Sequence, residues 1–391
     1  MKPMSAVPAI PHEPIPLLDL SREFPFIREE VMSAIEEVVS RQQFILGPAA
    51  DRFEQEAASF CQAHAAIGCA SGTDALWLAF AALGIGPGHA VVTTPFSFFA
   101  TASAILRAGA YPVFADIDPL TFNLSPAAVE QALSRPLPPE TVYAAIMPVH
   151  LYGQCADMDG LRAIAQKHNL KIVEDAAQAF GAEWRGHPAG SLGDAAAFSF
   201  YPTKNLSAFG DAGMITATDP AVAEHARALR NHGMRRRYFH EEFDGHLGWN
   251  SRLDGIQAAV LSVKLRRLAA GNQRRRELAA LYNERFTEAG LHTITLPNVD
   301  SRATPIFHQY VIRTPNRDAL RAHLTAKGIG TEIYYPLPLH LQESLQSLNY
   351  KPGDLPHAEA AAHEVLALPM YPELREDEVE AVVRAISSFS A

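Results

Sequence analysis

From Ala65 to Thr218 the chain repeats one pattern: a short apolar run, a break, then a stretch of helical length. The apolar runs are Ala65–Cys69, Ala90–Thr94, Tyr111–Ala115, Val142–Val149, Lys171–Glu174, Ala195–Phe200 and Gly213–Thr218. Between them lie helical stretches to Leu83, over Ser97–Ala108 and over Asp157–His168. Strands joined through crossover helices run parallel, and a parallel sheet buries both faces. The pattern therefore predicts an α/β architecture, a large domain whose mostly parallel sheet is sandwiched by helices.

The flanks have a different rhythm. Residues 1–16 hold Pro3, Pro8, Pro11, Pro14 and Pro16 and read as a flexible arm. Helices are expected over Pro25–Ser40 and Ala50–Ala63, separated by a turn at Gly47-Pro48. Beyond residue 250 comes a long helical stretch, Leu253–Phe286, with Gly271 interrupting it. Strands at Gln309–Arg313 and Gly330–Tyr335, a helix over Arg317–Lys327 and helices from about Pro356 and Glu376 complete the chain. The expected division is the arm, a large domain over 17–250 and a smaller C-terminal α+β domain over 251–391.

Composition narrows the function. Lysine and arginine number 33 against 43 aspartates and glutamates, a formal charge of −10, which argues against a general nucleic-acid or anionic-membrane binder. Cys61, Cys69 and Cys155 show no zinc or disulfide spacing, and the histidines form no zinc pattern, so no metal is expected. The N-terminus lacks a basic segment followed by an apolar core, and no apolar run approaches membrane length; a cytoplasmic protein is expected. Gly84-Ile85-Gly86-Pro87-Gly88 precedes a strand instead of joining strand to helix, so it is no dinucleotide fingerprint.

The chemistry sits at strand ends. Lys204 follows the run ending at Phe200 in Ser199-Phe200-Tyr201-Pro202-Thr203-Lys204-Asn205, and Asp175 closes Ile172-Val173-Glu174-Asp175. A lysine that forms a Schiff base, with a carboxylate that keeps a pyridine nitrogen protonated, is what pyridoxal phosphate chemistry needs. Most lysines are solvated surface charges, so the neighbours carry the argument. Ser71-Gly72-Thr73 opens a helix after a strand, where free N–H groups and the helix dipole favour an anion; alone it reads equally as an N-cap. Pro95-Phe96-Ser97-Phe98-Phe99 offers aromatics for core packing or for stacking on a planar ring. Asn250-Ser251-Arg252-Leu253-Asp254 reads as a cap for the long helix. Arg235, Arg236 and Arg237, beside Tyr238, form a solvated loop or a clamp for a diphosphate or carboxylate.

Taken together these motifs resemble the DegT/StrS-type sugar aminotransferases of the aspartate-aminotransferase fold, the fold type I of pyridoxal phosphate-dependent transferases. The resemblance spans nearly the whole chain. It runs from Ile15-Pro16-Leu17-Leu18-Asp19-Leu20 and Phe44-Ile45-Leu46-Gly47-Pro48, through the strand-end motifs above, to Tyr335-Pro336-Leu337-Pro338-Leu339-His340 and Leu368-Pro369-Met370-Tyr371-Pro372. It implies that Lys204 carries the cofactor and moves protons, and that Asp175 pairs with the ring nitrogen. Gln178 would meet the ring hydroxyl and Phe98 would stack on the ring. Gly72, Thr73 and Ser199 would hold the phosphate, with Asn250 supplied by the neighbouring subunit of a homodimer with shared active sites. The substrates implied are L-glutamate and a keto-sugar nucleotide, aminated at C3 or C4. Arg235, Arg236, Arg237, His308, Tyr310 and Tyr334 are candidates for the sugar-nucleotide site. Tyr334-Tyr335-Pro336 stands where many relatives have His-Tyr-Pro. Two other readings remain: transamination of another keto-polyol such as a keto-inositol, and a non-catalytic pyridoxal phosphate-binding regulator.

Overall fold

The computed structural model describes residues 13–389. Its centre is a seven-stranded sheet made of β1 (Ala65–Cys69), β2 (His89–Thr93), β3 (Tyr111–Phe114), β4 (Val142–Met147), β5 (Lys171–Asp175), β6 (Ala195–Ser199) and β7 (Gly213–Ala217). The spatial order is β1-β7-β6-β5-β4-β2-β3. Strands β3, β2, β4, β5 and β6 pair in parallel, while β7 lies antiparallel between β6 and β1. Six strands therefore share one direction, and their carboxyl ends share one edge. The reversed β7 starts at that edge, with Gly213 opposite both Cys69 and Ser199.

Each strand is apolar because each face is covered. Phe53, Phe198, Phe200, Leu253 and Leu261 belong to the core on one side, and Ile67, Leu78, Phe80, Ile215 and Leu229 to the core on the other. A buried ion pair ties the helix Pro48–Phe60 to this body. Glu54 accepts from the guanidinium of Arg230 and from Gly68 N (2.9 Å), while Arg230 also donates to Gly68 O (2.7 Å).

The C-terminal part has its own cluster, built around Tyr282, Tyr310, Leu320, Leu366 and Val382. One helix, Gly255–Glu288, contributes to both: Leu261 and Leu268 to the first core, Leu278, Tyr282 and Phe286 to the second. It starts immediately after the expected division at 250/251. Among the described residues no helix is long and apolar enough to cross a membrane.

Several local expectations need correction. The long helix is uninterrupted; the nearest atom to a side chain at Gly271 would be a Pro372 carbon at 3.5 Å, so the glycine is accommodated without a break. Its N-cap is Asp254, which accepts from Gln257 N (2.9 Å), and not Asn250 or Ser251. The run Gly330–Tyr335 is not a strand. Gly330 N is taken by Ile15 O (2.8 Å), Ile333 N by the Glu332 carboxylate (2.8 Å), and Tyr334 O by the Tyr152 hydroxyl. The partner of Tyr310–Arg313 is instead Val365–Leu368, an apolar run hidden between a helix and Pro369. Most of the expected arm, residues 1–12, lies outside the described residues. Its end is not loose: Ile15 is buried and bridges Ile329.

Breaking a buried ion pair by removing one partner costs roughly 3–5 kcal/mol. Arg230→Met is therefore expected to lower unfolding stability by about that amount in a denaturant titration. A loss under about 1 kcal/mol would show that the pair does not hold the helix Pro48–Phe60 in place.

Candidate active site

Successive side chains of a strand alternate faces, and β5 uses the alternation to separate two carboxylates. Glu174 serves the scaffold. It accepts N–H groups from Gly190 (2.9 Å), Leu192 (2.8 Å) and Gly193 (2.8 Å). His150 reaches it at 2.9 Å; because Ala156 N donates to Nδ1, Nε2 is the donor to Glu174. Asp175, on the other face, is nearly fully buried. Thr101 Oγ1 donates to its Oδ2 (2.8 Å) and Ala177 N to its Oδ1 (3.3 Å), and Ser97 Oγ lies 2.7 Å from the Thr101 hydroxyl. Burial pushes the Asp175 carboxyl up from its usual range, against the pull of Thr101, Ala177 and Lys204.

Lys204 sits in the turn after β6, its backbone N–H held by Tyr201 O (2.8 Å). Among the described residues its Nζ has neither a hydrogen bond nor an ion pair. Crowding by protein pushes its pKa down to about 8, partly offset by the Asp175 charge. The side chain is half-buried at the sheet edge. A desolvated amine near neutrality beside a buried carboxylate is an arrangement suited to nucleophilic attack and proton transfer.

A third element meets them at the same edge. The helix Gly72–Ala82 is capped by Ser71, whose Oγ accepts Asp74 N (3.1 Å), leaving the N–H groups of Gly72 and Thr73 for another acceptor. Both glycines here are dictated by space. A Cβ on Gly72 would lie 2.6 Å from Ser199 Cβ, and one on Gly213 would lie 2.2 Å from Ser71 O. Main chain, the Ser199 hydroxyl and the helix dipole thus meet in a cradle whose donors suit an anion. Cradle, unpartnered amine and buried carboxylate all fit pyridoxal phosphate.

Other expected residues are distributed unevenly. Gln178 is in place but occupied: its Oε1 accepts Tyr152 N (2.7 Å) and its Nε2 donates to the Tyr335 hydroxyl (3.2 Å), leaving one N–H. Phe98 is 60% exposed, its ring 6.4 Å from that of Tyr335. Asn250 is exposed and bridges Asn231 through its backbone. Arg235 is tied to Glu241 (3.0 Å), while Arg236 and Arg237 lie over Phe239 and Tyr238 at 4.3 and 4.9 Å. The patch is thus held by its own loop. Tyr334 is half-buried beside Tyr335.

Two expectations change. Tyr310 cannot line a substrate site, because it is fully buried, stacked on Tyr282 at 4.7 Å, with its hydroxyl on Asn283. His308 is also turned inward, with Nδ1 on Asn205 Oδ1 (3.0 Å). Sequence reading missed Thr101, Tyr152, Tyr335 and Asn205. Asn205 and Tyr335 stand beside residues already singled out. Thr101 and Tyr152 carry no spacing signal, since only the fold brings them to Asp175 and Gln178.

Comparison with known proteins agrees with this geometry. The profile of the DegT/DnrJ/EryC1/StrS aminotransferase family matches residues 25–387. A pleiotropic regulatory protein of Geobacillus stearothermophilus is 49% identical over 376 residues, 96% of this chain and 98% of that protein. The UDP-N-acetyl-3-dehydro-alpha-D-glucosamine 3-aminotransferase of Acidithiobacillus ferrooxidans is 42% identical, over 95% of this chain and 97% of the enzyme. The crystal structure of DesV of S. venezuelae in complex with a ketimine intermediate superposes with a TM-score of 0.90 at 42% identity, covering 97% of this chain and 100% of that one.

Because burial raises the Asp175 pKa, its ionisation opposes folding: the associated stability is present at low pH and is lost as pH rises through the raised value. Asp175→Asn is therefore expected to leave the cofactor-free protein at least as stable at neutral pH, while pyridoxal phosphate affinity falls about tenfold or more. Thermal melts and a cofactor titration read the two effects separately.

Proposed function

The chain belongs to the DegT/DnrJ/EryC1/StrS aminotransferase family, whose members depend on pyridoxal phosphate, and we propose that it transfers an amino group from L-glutamate to a nucleotide-linked 3-keto sugar. The observation that carries the reading is the desolvated Lys204 amine, free of any partner among the described residues, at the same sheet edge as Asp175 and the Gly72 cradle. The C3 position is favoured because the Acidithiobacillus relative is a 3-aminotransferase.

The cofactor supplies a ring that withdraws electrons from the carbon bearing the amine. Everything else falls to the chain. Lys204 would hold the cofactor through its amine and, when free, would carry a proton from one carbon to another; a positioned proton transfer of this kind contributes about 10²–10⁴ in rate. Its lowered pKa leaves part of the amine unprotonated near neutral pH. Asp175 holds the proton on the ring nitrogen, steadied by Thr101. Gly72 N, Thr73 N and Ser199 Oγ would receive the phosphate, the remaining Gln178 N–H would meet the ring hydroxyl, and Phe98 would cover the ring face. Arg236 and Arg237, cations without a carboxylate partner among the described residues, suit a diphosphate. Tyr334, half-buried at the cleft, suits the sugar.

A homodimer belongs to this reading. Asn250 is exposed, and Phe26, Met32, Tyr238, Leu247 and Trp249 are all more than half exposed, which leaves apolar surface for a second copy to cover. Asn250 of one subunit would then complete the phosphate site of the other. The Geobacillus relative has a regulatory name; a regulator that binds the cofactor would use Lys204 too, so turnover with L-glutamate is what separates the two readings.

Incubating the protein with pyridoxal phosphate, L-glutamate and UDP- or dTDP-linked 3-keto sugars should yield the 3-amino sugar by mass spectrometry, with no product from Lys204→Ala. Product from Lys204→Ala at a wild-type rate would remove Lys204 from the mechanism. Mixing inactive Lys204→Ala and Asn250→Ala proteins under subunit exchange should restore about a quarter of wild-type activity, because one site in each mixed dimer is intact. No restoration would mean that Asn250 acts within its own chain.

A further inference from the structure

A buried polar frame stands behind the turn that carries Lys204. Asn205 Nδ2 donates to Asn272 Oδ1 (2.9 Å) and to Ile306 O (3.4 Å), and its Oδ1 receives His308 Nδ1 (3.0 Å). The frame is itself anchored. Asn272 Nδ2 donates to Phe180 O (3.3 Å), and Arg275 Nη1 donates to the carbonyls of Phe307 (3.2 Å), His308 (3.4 Å) and Met370 (2.9 Å). Asn272, Arg275 and His308 are 3%, 4% and 8% exposed and Asn205 is half-buried, so the frame is largely shielded from water. We propose that His308 is a positioning residue for Lys204, acting through the carboxamide of Asn205.

The hydrogen-bond pattern determines the state of the ring. Asn205 Nδ2 is committed to two oxygen acceptors, so Oδ1 must face His308, and Nδ1 must carry a proton. Nε2 has no partner among the described residues. The charged groups facing His308 are Lys204 from its turn and Arg275 from the long helix; Asp175 faces Lys204 from β5. Burial and both cations push the His308 pKa well below its ordinary value, so the ring stays neutral and acts as a fixed donor. Without that donor, Oδ1 of the half-buried Asn205 loses its protein partner, and the amide is free to turn. The adjacent turn then loosens, water reaches the Lys204 amine, and its pKa climbs from about 8 toward the ordinary lysine value.

This role rests on Lys204 being the cofactor-bearing lysine, which amino transfer by the wild-type protein tests separately. The test of His308 itself uses the cofactor-free full chain. The pH dependence of Lys204 acetylation by acetic anhydride, read by peptide mass spectrometry, should have its midpoint near 8 in wild type. His308→Leu should raise the midpoint by about one pH unit, whereas His308→Asn, whose amide N–H can replace Nδ1–H, should restore it. An unmoved midpoint in His308→Leu, or an equal shift in His308→Asn, overturns the proposal. If His308→Leu does not fold, ¹⁵N shifts of the wild-type histidine rings decide. A neutral Nδ1–H ring from about pH 6 to pH 9 supports the role; an Nε2–H tautomer, or titration in that window, overturns it.

Discussion

The structure depends on desolvating one amine and one carboxylate without letting them neutralise each other. Lys204 and Asp175 are both shifted toward their neutral forms by burial, each partly restored by the other's charge, yet among the described residues they make no direct ion pair. Opposite charges attract more strongly as the dielectric falls, so two such groups at one desolvated edge draw together. They are held apart because each is fixed by its own strand and its own set of bonds. Asp175 is fixed by Thr101 and Ala177, and the residue after Lys204 by Asn272 and His308.

The sheet topology makes that separation possible. Six strands deliver their carboxyl ends to one edge, as open α/β sheets do at ligand sites, and the single reversed strand begins at the same edge. The reversal brings Gly213 against Ser71, close enough that no side chain fits. Helix N-terminus, lysine turn and carboxylate thereby become neighbours although they are far apart in sequence. The long helix Gly255–Glu288 adds the rear support, since Asn272 and Arg275 reach from it to the lysine turn and to the strand segment at His308.

Much of this was legible in the sequence, for physical reasons. Alternating apolar runs and helical stretches reveal a parallel sheet because burial of both faces leaves no polar alternation in the strands, and the expected strands from Ala65 to Thr218 all formed. Asp175 was readable because it closes such a run, and Lys204 because it stands in the break just after one. Other features had no local signature. Gly330–Tyr335 looks like a strand, but its backbone groups are claimed by Ile15, Glu332 and Tyr152, which are remote in sequence or bond through side chains. Val365–Leu368 was masked by the helix before it. Tyr310 and His308 sit two residues apart in a polar-looking segment, yet the fold sends both inward, one into an aromatic core and the other to Asn205. Side-chain partnerships of this kind depend on which elements pack together, and spacing alone does not record that.

The most direct test of the central claim is the visible absorption of the protein loaded with pyridoxal phosphate, before and after L-glutamate. The account predicts a yellow form, absent in Lys204→Ala, that glutamate bleaches and a keto-sugar nucleotide restores. A protein that takes up no pyridoxal phosphate, or whose yellow form survives substitution of Lys204, would contradict it.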